Sequence, residues 1–219
     1  MIENQCVILL HGLARTHLSM QPMQQALQKA GYCVVNIDYP SRRLPIEELA
    51  FIAVEQGLQQ CRKHCGDGSI HFVTHSLGGI LVRQYLTRHT LQNLGYVVML
   101  APPNQGTEAV DFLRKLPGYQ WLNGPAGLQL GTTSEDVPRK LGPVNFELGV
   151  IAGEISFNPI LSSMISSPDD GKVSVQNTQV EGMRDFITLP VNHTFIMRSK
   201  QAHRQTLHFL QHGCFKHEN

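Results

Sequence analysis

The chain has 219 residues, 42% of them hydrophobic and 16% charged, which is enough apolar material for one sizeable core and too much for a disordered chain. A formal net charge of +1 gives no reason to expect a nucleic-acid or anionic-membrane partner. No stretch reaches the roughly eighteen apolar residues of a membrane span, and the opening residues carry an acid but no basic cluster, so neither a stable membrane anchor nor a signal peptide is expected.

Apolar strand-like runs alternate with helical patterns along the chain. Residues 6–10 make the first strand. Residues 20–30 make a helix with Met20, Met23, Leu27 and Ala30 on one face and Gly31 as its stop. Residues 33–37 are the second strand. Pro45 opens a second helix with Glu47 and Glu48 in its first turn, and Ile46, Ala50, Ala53, Val54, Leu58 and Cys61 form its buried stripe. Strand 70–73 and helix 77–89 follow. Strand 96–100 is halted by Pro102-Pro103, and a helix spans 105–116. Strands at 146–152 and 186–189 and a helix at 199–210 complete the pattern. Such alternation predicts an α/β fold, a mostly parallel sheet of about six strands with helices on both faces, in a single domain over 1–219. In such a sheet, sites collect at the C-terminal ends of the strands.

Two stretches depart from this rhythm. Residues 117–144 are rich in Gly and Pro and hold the only Trp, Trp121, which suggests a lid or binding loop. In the second insertion, 154–172, Asn158-Pro159 caps a short helix with Ile160, Leu161, Met164 and Ile165 on one face.

The five cysteines, at 6, 33, 61, 65 and 214, are odd in number, and free buried thiols in a reducing cytoplasm fit them better than a disulfide framework. Cys61 and Cys65 lack a second ligand pair at zinc-finger spacing, so they are expected to be two ordinary residues near a helix end.

Between the third strand and its helix stands Thr74-His75-Ser76-Leu77-Gly78-Gly79. A serine in a tight strand–turn–helix presents its hydroxyl at the sheet edge, where a base can activate it. The bland alternative is a serine that merely caps the helix. Thr74 stands where the G-x-S-x-G pattern has its first glycine. His193 lies four residues beyond strand 186–189, after Pro190, and can reach over the same edge. Asp170, in Asp169-Asp170-Gly171, falls between Ser76 and His193 and is preferred to Asp169, Asp185 and Glu154 as the orienting acid. The N–H groups of Leu13 and Leu77 are placed to hold an oxyanion. His11 reads as a positioning residue of its loop, and His75 as a residue packed under the turn.

These segments, Val7-Ile8-Leu9-Leu10-His11-Gly12-Leu13, Thr74-His75-Ser76-Leu77-Gly78-Gly79, Asp170-Gly171-Lys172-Val173 and His193-Thr194, resemble the lipase/esterase branch of the α/β-hydrolase superfamily over almost the whole chain. The likeness is to compact bacterial members that lack the two leading strands. It implies Ser76 as nucleophile, His193 as base, Asp170 as acid, and Leu13 and Leu77 as the oxyanion hole. The activity it implies is hydrolysis of a small-molecule carboxylic ester through an acyl-enzyme, with no metal or organic cofactor. An acyltransferase or thioesterase on the same triad, or a non-catalytic interaction protein on the same fold, remain as alternatives. Leu13, Leu77, Trp121, Ile160, Leu161 and Met164 are candidates for an apolar acyl-binding wall. Arg15, Arg42 and Arg43 are candidates for the mouth of the site.

Overall fold

The computed structural model describes residues 5–157 and 159–217. Strands β1 (Cys6–Leu10), β2 (Cys33–Ile37), β3 (Ile70–His75), β4 (Leu94–Leu100), β5 (Leu148–Gly153) and β6 (Asp185–Leu189) form one sheet in the order β2-β1-β3-β4-β5-β6. Every pairing is parallel. β1, β3 and β5 are buried along their whole length, which is why β1 and β5 carry no charged or polar side chain, while β3 buries His71, Thr74 and His75 among its apolar residues.

Alternate strand residues feed two cores. Ile8, Leu10, Phe72, Val97 and Met99 pack on one side of the sheet with α2 (Ile46–Cys65) and α3 (Leu77–Leu86). Val7, Leu9, Val73, Val98 and Leu100 pack on the other side with α1 (Gln21–Lys29) and α9 (Lys200–His212). The stripe expected on α2 is buried throughout. Ser199 caps α9 by accepting the N–H of Ala202 at 3.3 Å. The register pairs Leu10 with Ile37 and Thr74, His75 with Leu100, and Gly153 with Leu189, so the C-terminal strand ends line up along one edge.

Two expectations need correction. The free-thiol reading of Cys6, Cys33, Cys61 and Cys65 is overturned by disulfides Cys6–Cys61 and Cys33–Cys65. The cause lies in the pairing of distant segments. β1 and β2 set Cys6 beside Cys33, and the four-residue spacing on α2 puts Cys61 and Cys65 on one helix face. The Cα separations, 5.9 and 6.1 Å, suit such bonds. The thiol argument for a reducing compartment falls with them. Cys214 is exposed and unpaired.

The helix expected over 105–116 shrinks to α4 (Glu108–Leu113). The backbone ahead of it is committed elsewhere: Gln105 N–H donates to the Asn177 carbonyl and Thr107 N–H to the Leu130 carbonyl, both at 2.9 Å. Buried Arg83 holds the Asn104 carbonyl and side-chain oxygen at 2.8 and 3.1 Å.

Residues 117–144 are more regular than their composition suggests. They hold α5 (Tyr119–Leu128), broken at Gly124-Pro125, and α6 (Val137–Lys140). The short helix of the second insertion is α7 (Pro159–Ser162), and α8 (Val175–Thr178) follows. Its expected cap, Asn158, lies outside the described residues, as do residues 1–4. Among the described residues no helix is long and apolar enough to cross a membrane.

Candidate active site

Ser76 sits where β3 meets α3, with φ 50° and ψ −120°, a backbone state costly for a non-glycine residue. Its N–H donates to the Leu100 carbonyl at 2.9 Å, and its carbonyl accepts from Gly79 at 3.0 Å, so the turn is tied to β4 and to its own helix. Gly78 is required by proximity: a Cβ there would come within 2.6 Å of the Leu10 carbonyl oxygen. Its absence lets α3 start hard against β1. Thr74 is fully buried, pointing at Gly79 rather than at the site, so the elbow accepts it in place of glycine.

His193 Nε2 lies 3.1 Å from Ser76 Oγ, and His193 Nδ1 lies 2.8 Å from Asp170 Oδ2. The other Asp170 oxygen accepts N–H bonds from Lys172 (3.0 Å) and Val173 (2.8 Å), which fixes the carboxylate against rotation. The His193 N–H donates to the Asp170 carbonyl at 2.9 Å, locking the two loops together. Gly171, at φ 94°, makes the turn this requires. All three residues are buried, at 8%, 2% and 5% exposure. The rival acid Asp169 faces away and accepts from Ser162 Oγ (2.9 Å) and Gly171 N–H (2.7 Å).

The carboxylate can only accept, so Nδ1 of His193 carries the proton and Nε2 is left to accept from the serine hydroxyl. A proton can then pass from Ser76 to His193 while Asp170 steadies the imidazolium.

Two further histidines support this frame. His75 Nε2 lies 3.0 Å from the His193 carbonyl oxygen, so that nitrogen is the donor, and the two rings lie 4.9 Å apart. Burial, with His193 nearby, drives the His75 pKa well below its ordinary value, so His75 stays neutral beside the relay. His11 stacks on Tyr39 with centroids 4.0 Å apart, and its Nδ1 lies 2.8 Å from the Gly12 carbonyl oxygen. The Tyr39 hydroxyl donates to the His11 carbonyl. Burial lowers the His11 pKa as well. This residue holds the loop after β1 in place, as its sequence position suggested.

Ser76 and His193 open into a cavity of about 400 Å³. Leu13 and Leu161 line it, as expected. Leu77 is instead buried in the core beneath. Trp121 (84% exposed) and Ile160 (69% exposed) lie outside the cavity, and so does Met164. The apolar wall comes mostly from residues that sequence reasoning passed over: Val110, Leu113 and Leu116 from α4 and its end, Tyr119 and Leu122 from α5, and Leu130. The signal available was helical spacing, since 110, 113 and 116–117 recur on one face. Arg15 and Lys172 also line the cavity. Arg42 instead reaches the Leu122 carbonyl at 3.5 Å.

Among curated proteins none matches this sequence. Solved structures share its fold at low identity. A lipase from Bacillus licheniformis, BlEst2 in mature form, superposes with a TM-score of 0.73 at 18% identity, covering 94% of this chain and 90% of that one. Phospholipase PlaB from Legionella pneumophila gives 0.71 at 18% identity, over 93% of this chain and 56% of that one. A metagenomic carboxyl esterase, MGS0156, gives 0.65 at 17%, over 90% and 66%. The family model for the alpha/beta hydrolase fold matches residues 5–149, the span that carries the loop after β1, the Ser76 turn and β4. By that match, and by a parallel sheet that ends in a serine turn, the chain belongs to the alpha/beta hydrolase fold family.

Proposed function

We propose that the protein is a serine hydrolase that cleaves carboxylic esters through an acyl-enzyme. The observation that carries this reading is the unbroken hydrogen-bonded line from Ser76 through His193 to Asp170, opening onto an apolar cavity. Ser76 Oγ attacks the ester carbonyl as His193 Nε2 takes its proton. The N–H groups of Leu13 and Leu77 receive the developing oxyanion; among the described residues, neither is spent on another hydrogen bond. His193 then protonates the leaving alcohol, the ester C–O bond breaks, and Ser76 holds the acyl group. Water, deprotonated by His193, attacks that acyl-serine and releases the acid. The apolar wall suits a hydrocarbon acyl chain.

A fluorophosphonate probe tests the reading. Wild-type protein is expected to be labelled at Ser76, and Ser76→Ala to be unlabelled and inactive on nitrophenyl esters although folded. A wild-type protein that neither labels nor hydrolyses any ester would overturn it.

A further inference from the structure

The cavity beside Ser76 is electrostatically one-sided. Arg15 and Lys172 line it, and no acid among the described residues does. The chain as a whole is nearly balanced, with a formal net charge of +1. Among the described residues neither side chain makes an ion pair or a hydrogen bond. The carboxylate that acts on Lys172 electrostatically, Asp170, is already engaged by His193 and by two backbone N–H groups.

The two cations come from separate loops that the fold brings together. Arg15 follows the β1 loop, where Ala14 takes φ 55° and its N–H donates to Ser41 Oγ at 3.1 Å. Lys172 sits in the turn after Asp170, its carbonyl held by the Thr107 hydroxyl. They are close enough that Arg15 helps to lower the Lys172 pKa, after the larger effect of protein crowding round the ammonium, although Lys172 keeps exposed surface. Holding two unpaired like charges beside an apolar wall costs free energy that a bound anion would return.

Lys172 and His193 line both this cavity and a neighbouring depression formed with Asp170 and Asn192, and in the ester-hydrolase reading His193 is the residue that hands its proton to the leaving alcohol. Given the ester-hydrolase reading, on which this inference rests, we propose that Arg15 and Lys172 form a recognition site for an anionic group carried by the alcohol portion of the substrate. The substrate class is then an ester with a hydrocarbon acyl chain and a phosphate- or carboxylate-bearing alcohol. Arg15 supplies a planar fork suited to either anion, and Lys172 a point charge beside the leaving group.

Three esters sharing one octanoyl chain test this: octanoyl glycerol (neutral), octanoyl glycerophosphate, and lactate acylated on its hydroxyl. Wild-type protein is expected to favour at least one anionic ester over the neutral one by about tenfold or more in kcat/KM, carried chiefly by KM. That KM should rise with ionic strength. Which anionic ester wins identifies the anion. In the Arg15→Gln/Lys172→Gln double variant the anionic-to-neutral ratio should collapse toward one, and Lys172→Arg should retain most of it. A wild-type ratio near one, or a ratio unchanged in the double variant, overturns the anion site while leaving the hydrolase reading intact. Failure of every ester together with absence of fluorophosphonate label at Ser76 removes the hydrolase reading itself and this site with it.

Discussion

Ser76, Asp170 and His193 are all less than a tenth exposed, and backbone hydrogen bonds to β4 or to one another hold them. The cavity wall opposite them is different. It is built by α4 and α5, which add no strand to the sheet, and it leaves Leu116 and Leu122 more than half exposed. α5 is broken in its middle by Gly124 and Pro125. The Ser76–His193–Asp170 line is thus set by the sheet, and the opposite wall of the cavity by a looser insertion. Under the ester-hydrolase reading, substitutions in the first region should cost chemistry and substitutions in the second should change preference.

The sharpest way to break that division is the acid. Asp170→Asn should lower kcat by about 10⁴, because the imidazole loses the partner that fixes its tautomer. Asp169→Asn should spare kcat and cost only about 1 kcal/mol of stability, because its partners are Ser162 and the Gly171 amide. Side-by-side kinetics and melting curves check both. The reverse pattern would move the acid by one residue.

A smaller effect separates stability from chemistry. His71 is buried in β3, its Nδ1 accepts the Tyr96 N–H at 2.8 Å, and burial lowers its pKa from 6.5 to about 4. Below pH 6.5 the unfolded chain binds a proton that the folded chain refuses. Stability is therefore full above the unfolded value, falls as pH drops toward about 4, and levels off beneath it. This group alone accounts for roughly 3 kcal/mol of that fall. His75 and His11, lowered in the same direction, add to it. Urea unfolding at a series of pH values should show a shallower slope in His71→Leu, with about 1 kcal/mol lost at neutral pH for the orphaned Tyr96 amide. An unchanged slope would mean that His71 is not the buried neutral group described.

The smallest effects belong to the wall. Leu113→Trp should reduce kcat/KM for octanoyl relative to acetyl esters by about tenfold or more by filling the cavity. Trp121→Ala, outside the cavity, should stay within about 0.5 kcal/mol on either ester. Large losses on both esters from Leu113→Trp would show that the wall also carries chemistry.

How much could be foreseen follows the same division. The strands were legible because a sheet covered on both faces writes continuous apolar runs. β1 and β2 match their expected limits, and β3 extends by only two residues. Ser76, Asp170 and His193 were legible because each sits beside a turn signal at a strand end or just before a short apolar run. The wall was not. Trp121 and Ile160 are apolar yet point to solvent, and hydrophobicity alone does not tell a cavity lining from an exposed rim. The disulfides were hidden for another reason. Cys6 and Cys61 are 55 residues apart, Cys33 and Cys65 are 32 apart, and only strand register and helix spacing taken together bring each pair within reach.

If the protein is a serine hydrolase, a covalent acyl group forms on Ser76 as His193 takes its proton. Rapid quenching of the wild-type protein with a slowly turned-over nitrophenyl ester, followed by intact-mass and peptide mass spectrometry, measures it directly. One acyl adduct per chain is expected, located on Ser76, and absent in both Ser76→Ala and His193→Ala. Turnover without any adduct, or an adduct that persists when Ser76 is replaced, would contradict that reading.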